Sequence, residues 1–126
     1  MLRSVAAVVG GYLNFAVFAA LLFQFSRHDP HAPATARFII LSTLYGMCFA
    51  ALGGFLSARL ATTHKFAHAV ATACLIAVGA FTSLILVYMK HGSVWSQIAA
   101  IVFMAPSAIL GGIFASARAS KKMETL

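Results

Sequence analysis

All eleven charged residues of this chain fall in short gaps between four stretches that carry no Asp, Glu, Lys or Arg. Those stretches, Val5–Phe25, Phe38–Ala58, Phe66–Met89 and Val94–Ala117, run 21, 21, 24 and 24 residues. As helices they would reach about 31–36 Å, enough to cross a hydrocarbon layer of roughly 30 Å. The pattern predicts an all-α, four-transmembrane-helix bundle. Residues 1–126 form a single integral membrane domain, with spans at approximately 5–25, 38–58, 66–89 and 94–117.

Composition closes the soluble alternative. Charged residues make up 9% of the 126 and hydrophobic ones 62%, whereas a soluble domain of this size needs a polar exterior, about a quarter of it charged. The net charge of +7 would suggest nucleic acid in a soluble protein. Here the bases stand at helix ends, where anionic headgroups account for them, so no nucleic-acid partner is expected. The first apolar run exceeds a signal-peptide core of roughly 7–15 residues and no A-x-A-like site follows it, so it is read as a span.

The gaps are short. Asp29-Pro30 and Ala32-Pro33 make the first extended, since residues before proline avoid the helical region. Thr62 or Thr63 is the expected N-cap of the third helix. Gly92 and Ser93 are the expected C-cap and N-cap around the last turn. Such connections force antiparallel neighbours and an up-down-up-down order. Both termini then share one side, with Arg3, Arg59, Lys65, Arg118, Lys121 and Lys122. Arg27, Arg37 and Lys90 occupy the other. The positive-inside bias puts both termini in the cytoplasm and the protein in the inner (plasma) membrane.

Within the spans the strongest pattern is small residues at every fourth position: Ser42, Gly46, Ala50, Gly54 and Ala58; Ser107, Gly111, Ala115 and Ala119; and Ala69, Ala73 and Ala77. Such stripes let helix backbones approach closely, and in lipid that packing drives association. They suit either the bundle's own core or a homo-oligomer or larger membrane complex. Leu52–Arg59 is echoed by Leu110–Arg118 with one residue inserted, which would make two parallel hairpin repeats. Asn14 is expected to hydrogen-bond to Tyr12, Tyr45, Thr72, Thr82 or Ser83. Pro106 is expected to kink the fourth helix and free the carbonyl of Val102.

Chemistry has little to work with. No paired carboxylate, G-x-S-x-G or nucleophile with an adjacent base is present, so no catalytic residue is assigned. Cys48 and Cys74 lack metal or redox spacing and are expected as small buried hydrophobes. His64 and His68 at i, i+4 are the candidate metal pair, and His68 the one candidate haem ligand, but no neighbouring acid or cysteine completes a site. The expectation is no cofactor. His28, Asp29, His31, Arg27 and Arg37 form the densest polar cluster. Small multidrug exporters share this length but carry a glutamate in the first span, absent here. Fluoride channels carry a T-T-F-S break where this chain has Gly79–Ser83.

At Gly53-Gly54-Phe55-Leu56-Ser57-Ala58-Arg59, followed by His68, the chain resembles a group of small uncharacterised bacterial membrane proteins. In these the second helix ends in G-G-[FY]-x-x-[AS]-R. The resemblance implies four helices in a bacterial inner membrane and supplies no activity. The functional expectation is a non-enzymatic, structural or accessory membrane protein that self-associates. The alternative is a channel or facilitator for a neutral or anionic small solute, motivated by Pro106, Asn14 and the basic helix ends.

Overall fold

The computed structural model describes all residues, 1–126, and contains four long helices and no strand. Helix α1 spans Leu2–Ser26, α2 Ala36–Leu60, α3 Lys65–Met89 and α4 Trp95–Glu124. Each is long and apolar enough to cross a membrane. The helices outrun the charge-free stretches, and Arg37, Arg59, Lys65 and Arg118 all lie within helical turns.

The chain turns at left-handed residues that are not glycine: Arg27, His64 and His91, at φ 53°, 49° and 57°. His64, not Thr62 or Thr63, stands before α3 and offers no side-chain cap. After α3, the amide of Gly92 donates to the Val87 carbonyl and that of His91 to Tyr88, at 3.0 Å each. This pattern closes a helix when the residue after the cap is left-handed, and here that residue is His91. Gly92 serves a different need: a Cβ there would stand 2.7 Å from Cγ1 of Val87. Ser93 does not cap α4 either; its amide donates to the His31 carbonyl at 2.8 Å, and Val94 precedes the helix. The one hydroxyl N-cap is Thr35 on α2, accepting from the Phe38 amide.

Successive helices run antiparallel. Arg3 Nε donates to the Leu60 carbonyl, Asn14 Nδ2 to that of Phe49 and Tyr45 Oη to that of Phe18, at 3.2, 3.3 and 3.0 Å. These three bonds fall on one α1/α2 register along the length of the pair. Asn14 thus meets a backbone carbonyl and not one of the hydroxyls expected from sequence. A helix carbonyl retains a second lone pair that can accept the amide N–H.

The half holding the termini is packed backbone to backbone. Gly54 faces the carbonyl of Ala108 on α4, and Gly111 faces that of Ala51 on α2, with no room for a Cβ at either. Gly53 faces the Gly11 carbonyl on α1, and Gly112 faces Cβ of Ala69 on α3. The two Gly-Gly pairs are therefore used in opposite order: the first glycine of α2 meets its hairpin partner, whereas the first glycine of α4 meets α2. A rotation relating the hairpins would keep the order, so the Leu52–Arg59 echo is not a rotational repeat. It reflects the same need for two close neighbours, met on opposite hands.

Upstream of Pro106 the helix departs from α geometry. The helix widens to a π turn over Ala100–Met104, and the amide of Ala105 reaches back to the Ala100 carbonyl. A wide turn swings the upstream carbonyls out of the proline ring's path, relieving the clash that an α turn would impose. Ser107 Oγ donates to the Phe103 carbonyl at 2.7 Å. Pro106 itself is exposed on the outer face.

Candidate functional site

Toward the end opposite the termini, Tyr12, Phe15, Tyr45, Trp95 and Met104 border a space between the helices. The backbones of α1 and α4 nowhere approach within 8 Å. Between them lies a cavity of about 240 Å³, bounded by Tyr12 and Phe15 of α1, Tyr45 and Gly46 of α2, Ser83 of α3 and Met104 of α4, among others. The π turn helps to shape it. An extra residue in the turn changes the phase of what precedes it by about 100°, bringing Ser96, Gln97 and Ala100 to the cavity together with Met104.

The 27–35 loop and a group of rings pack beside the Trp95–Gln97 segment that borders the cavity. Trp95 Nε1 donates to the Ala32 carbonyl at 2.9 Å. The Trp95 ring meets those of Phe23, Phe38 and His28 at centroid distances of 6.2, 5.9 and 6.5 Å. His28 lies on Phe38, 4.3 Å between centroids, and its Nε2 is buried without a partner.

Beside these rings, Gln97 joins three segments. Its side chain is 5% exposed. Its Nε2 lies 3.0 Å from His31 Nδ1 and donates to Ser83 Oγ at 3.2 Å, while its Oε1 accepts from Ser96 Oγ at 3.1 Å. Ser96 Oγ also lies 2.9 Å from the Pro30 carbonyl. Asp29 Oδ1 accepts the His31 amide at 2.8 Å and shapes the loop. No Asp, Glu, Lys or Arg lines the cavity. Its walls are mostly apolar, with hydroxyls at Tyr12, Ser42, Tyr45, Ser83 and Ser96. Such a lining favours an uncharged guest, because a bare charge would be desolvated without a partner.

The residues singled out in the sequence distribute unevenly over this plan. Ser42 and Gly46 border the cavity. Ala50, Gly54, Ala58, Ser107, Gly111 and Ala115 are buried in contacts within the bundle. The small-residue stripes thus form the core of the chain itself. Asn14 ties α1 to α2 outside the cavity. His68 Nδ1 lies 2.9 Å from the His64 carbonyl, and no third His, Cys, Asp or Glu joins the pair. Cys48 and Cys74 are free and exposed on the outer faces rather than buried. Their spans are apolar all round, so sequence alone does not say which side faces lipid.

Gln97 was the residue sequence reasoning missed. An amide inside a charge-free span was the available signal, the same one that drew attention to Asn14.

No family model, no curated protein and no solved structure matches this chain.

Proposed function

We propose that this chain is a non-enzymatic membrane protein that holds a small uncharged molecule in the cavity bordered by Trp95. The observation that carries the reading is the cavity itself: mostly apolar, free of charged side chains, and bordered by the buried amide of Gln97. It narrows the neutral-or-anionic facilitator to a neutral guest. On the terminal side the Gly54–Ala108 and Gly111–Ala51 contacts seal the bundle, so complete passage would require α2 and α4 to part. The proposal places the protein in a bacterial inner membrane with both termini in the cytoplasm, on the six-to-three distribution of bases.

Trp95 is the only tryptophan and lines the cavity, so its fluorescence reports occupancy. Titration of the detergent-purified protein with benzyl alcohol and other small uncharged aromatics is expected to give a saturable change, with benzoate giving none. Absence of saturation across the neutral series would sink the reading. Flux of a bound solute into liposomes then separates a facilitator from a binding protein.

A structural or accessory role through self-association is the second reading. With the small-residue stripes buried inside the protomer, its support is the groove of about 660 Å³ between α1 and α3, lined by Val5, Val9, Ala67, Ala71 and Cys74. A helix of a second copy would fit a groove with such a floor. Mass measurement in mild detergent decides: a monomer unaffected by Ala71→Trp removes this reading.

A further inference from the structure

Four cations converge at the terminal end around a single concavity. Arg59 at the end of α2, Lys65 at the start of α3, and Arg118 and Lys122 in the last turns of α4 surround a cup of about 370 Å³, and no Asp or Glu side chain lines it. A second depression of about 480 Å³ runs along the outer face of α2 and α4, lined by Ala51, Leu52, Phe55, Leu110, Gly111 and Phe114. Its floor is the crossing where Gly111 lies on the Ala51 backbone.

Arg59 and Arg118 link the two features through neighbouring rings. The guanidinium of Arg59 lies 5.7 Å from the centre of the Phe55 ring, and that of Arg118 lies 5.3 Å from the centre of Phe114. The two rings are themselves 6.1 Å apart. Each arginine therefore lines the cup and stacks on a ring that lines the groove. Stacking on an aromatic face holds a guanidinium in place while leaving its N–H edge free for an anionic oxygen.

We propose that this surface is a binding site for an anionic glycerophospholipid. Its phosphate lies among Arg59, Arg118, Lys65 and Lys122, and the upper part of one acyl chain lies in the α2/α4 groove. Charge complementarity selects the headgroup, because four cations face an open cup with no acidic side chain to offset them. The adjoining groove, with only apolar and small residues, selects a lipid over a free anion. A general excess of bases at one interface does not require this convergence: Arg3, at the same end, is held on the Leu60 carbonyl instead. The site uses the terminal ends of α2, α3 and α4 and the outer face of α2 and α4, and shares no residue with the Trp95 cavity, so it stands independently of what that cavity holds.

The test is lipid retention. The full chain is placed in nanodiscs of equal phosphatidylcholine and phosphatidylglycerol, exchanged into detergent, and its bound lipid is quantified by native mass spectrometry. Retention of phosphatidylglycerol at least tenfold over phosphatidylcholine is expected. Arg59→Gln with Arg118→Gln should abolish the preference. Lys122→Gln, outside the tightly packed crossing, should reduce it severalfold in a bundle whose melting is unchanged. Arg27→Gln with Arg37→Gln, at the opposite end, should leave it intact. Equal retention of the two lipids overturns the proposal. So does a preference that survives both terminal-end variants, or one lost equally in the opposite-end control. Displacement of the lipid by millimolar inorganic phosphate would show a free-anion site and overturn the assignment to a lipid.

Discussion

Replacing Gly54 with alanine tests the packing argument most directly. The added Cβ would stand 2.6 Å from the carbonyl carbon and 2.9 Å from the Cα of Ala108, against 3.4 Å or more for ordinary contact. The obstacle is backbone, which cannot rotate aside, so α2 and α4 must separate by on the order of 1 Å along this crossing. A gap of that size forfeits roughly a quarter to a half of each contact's dispersion energy. Overpacking of this kind costs about 1–3 kcal/mol. Gly111→Ala meets the reciprocal obstacle, 2.7 Å from the carbonyl carbon of Ala51. One displacement relieves both, so the double variant should cost less than the two singles combined. Gly10 supplies the control: its Cβ would meet only the Leu60 side chain, at 3.9 Å. Gly10→Ala should be neutral or stabilise by up to about 1 kcal/mol through helix propensity. Reversible unfolding in micelles or by steric trapping in bicelles measures all four proteins. A Gly54→Ala variant as stable as Gly10→Ala would refute the reasoning, as would full additivity in the double.

Three further outcomes follow from the same geometry. Gln97→Leu removes the contacts to His31 and Ser83 and should cost about 1–3 kcal/mol, with amide exchange in the 29–33 loop rising at least tenfold; unchanged exchange would show that Gln97 does not hold the loop. Gly46→Ala confronts only the flexible end of Met104, with Sδ at 2.7 Å, so it should cost less than about 1 kcal/mol while weakening benzyl alcohol binding as Met104 shifts into the cavity. His91→Gly relieves a left-handed residue and should stabilise by about 1 kcal/mol, whereas Gly92→Ala should destabilise by pressing on Val87; thermal melts that reverse this order would contradict the turn assignment.

The candidate site was partly legible in the sequence. Ser42 and Gly46 were visible as members of a small-residue stripe, but nothing in a four-residue spacing tells a cavity wall from a helix crossing. That difference came from what stands opposite: a flexible Met104 side chain at Gly46, a backbone carbonyl at Gly54. The π turn was invisible for a similar reason. Pro106 announces a lost donor, yet whether the helix widens into a π turn depends on which neighbours hold the turns on either side. The capping errors at Thr63, Gly92 and Ser93 came from treating residue preference as placement. A turn confined between two packed helices puts His64 and His91 in left-handed backbone because chain length and docking override an intrinsic preference of about 1–2 kcal/mol.

Charge placement by itself determined the class, the number of spans and their order, because a charged side chain in hydrocarbon is costly enough to dictate where helices end. Small-residue spacing announced close packing for the same local reason. Tertiary structure alone decided which partner each stripe meets, and that the terminal half closes while the opposite half stays open around Gln97. It also brought Arg59, Lys65, Arg118 and Lys122 around one cup from three helices. Spans that are apolar all round carry no alternation of apolar and polar residues to mark their inner face; small-residue spacing marks a close contact without naming its partner, and the partner is fixed only once the helices have met.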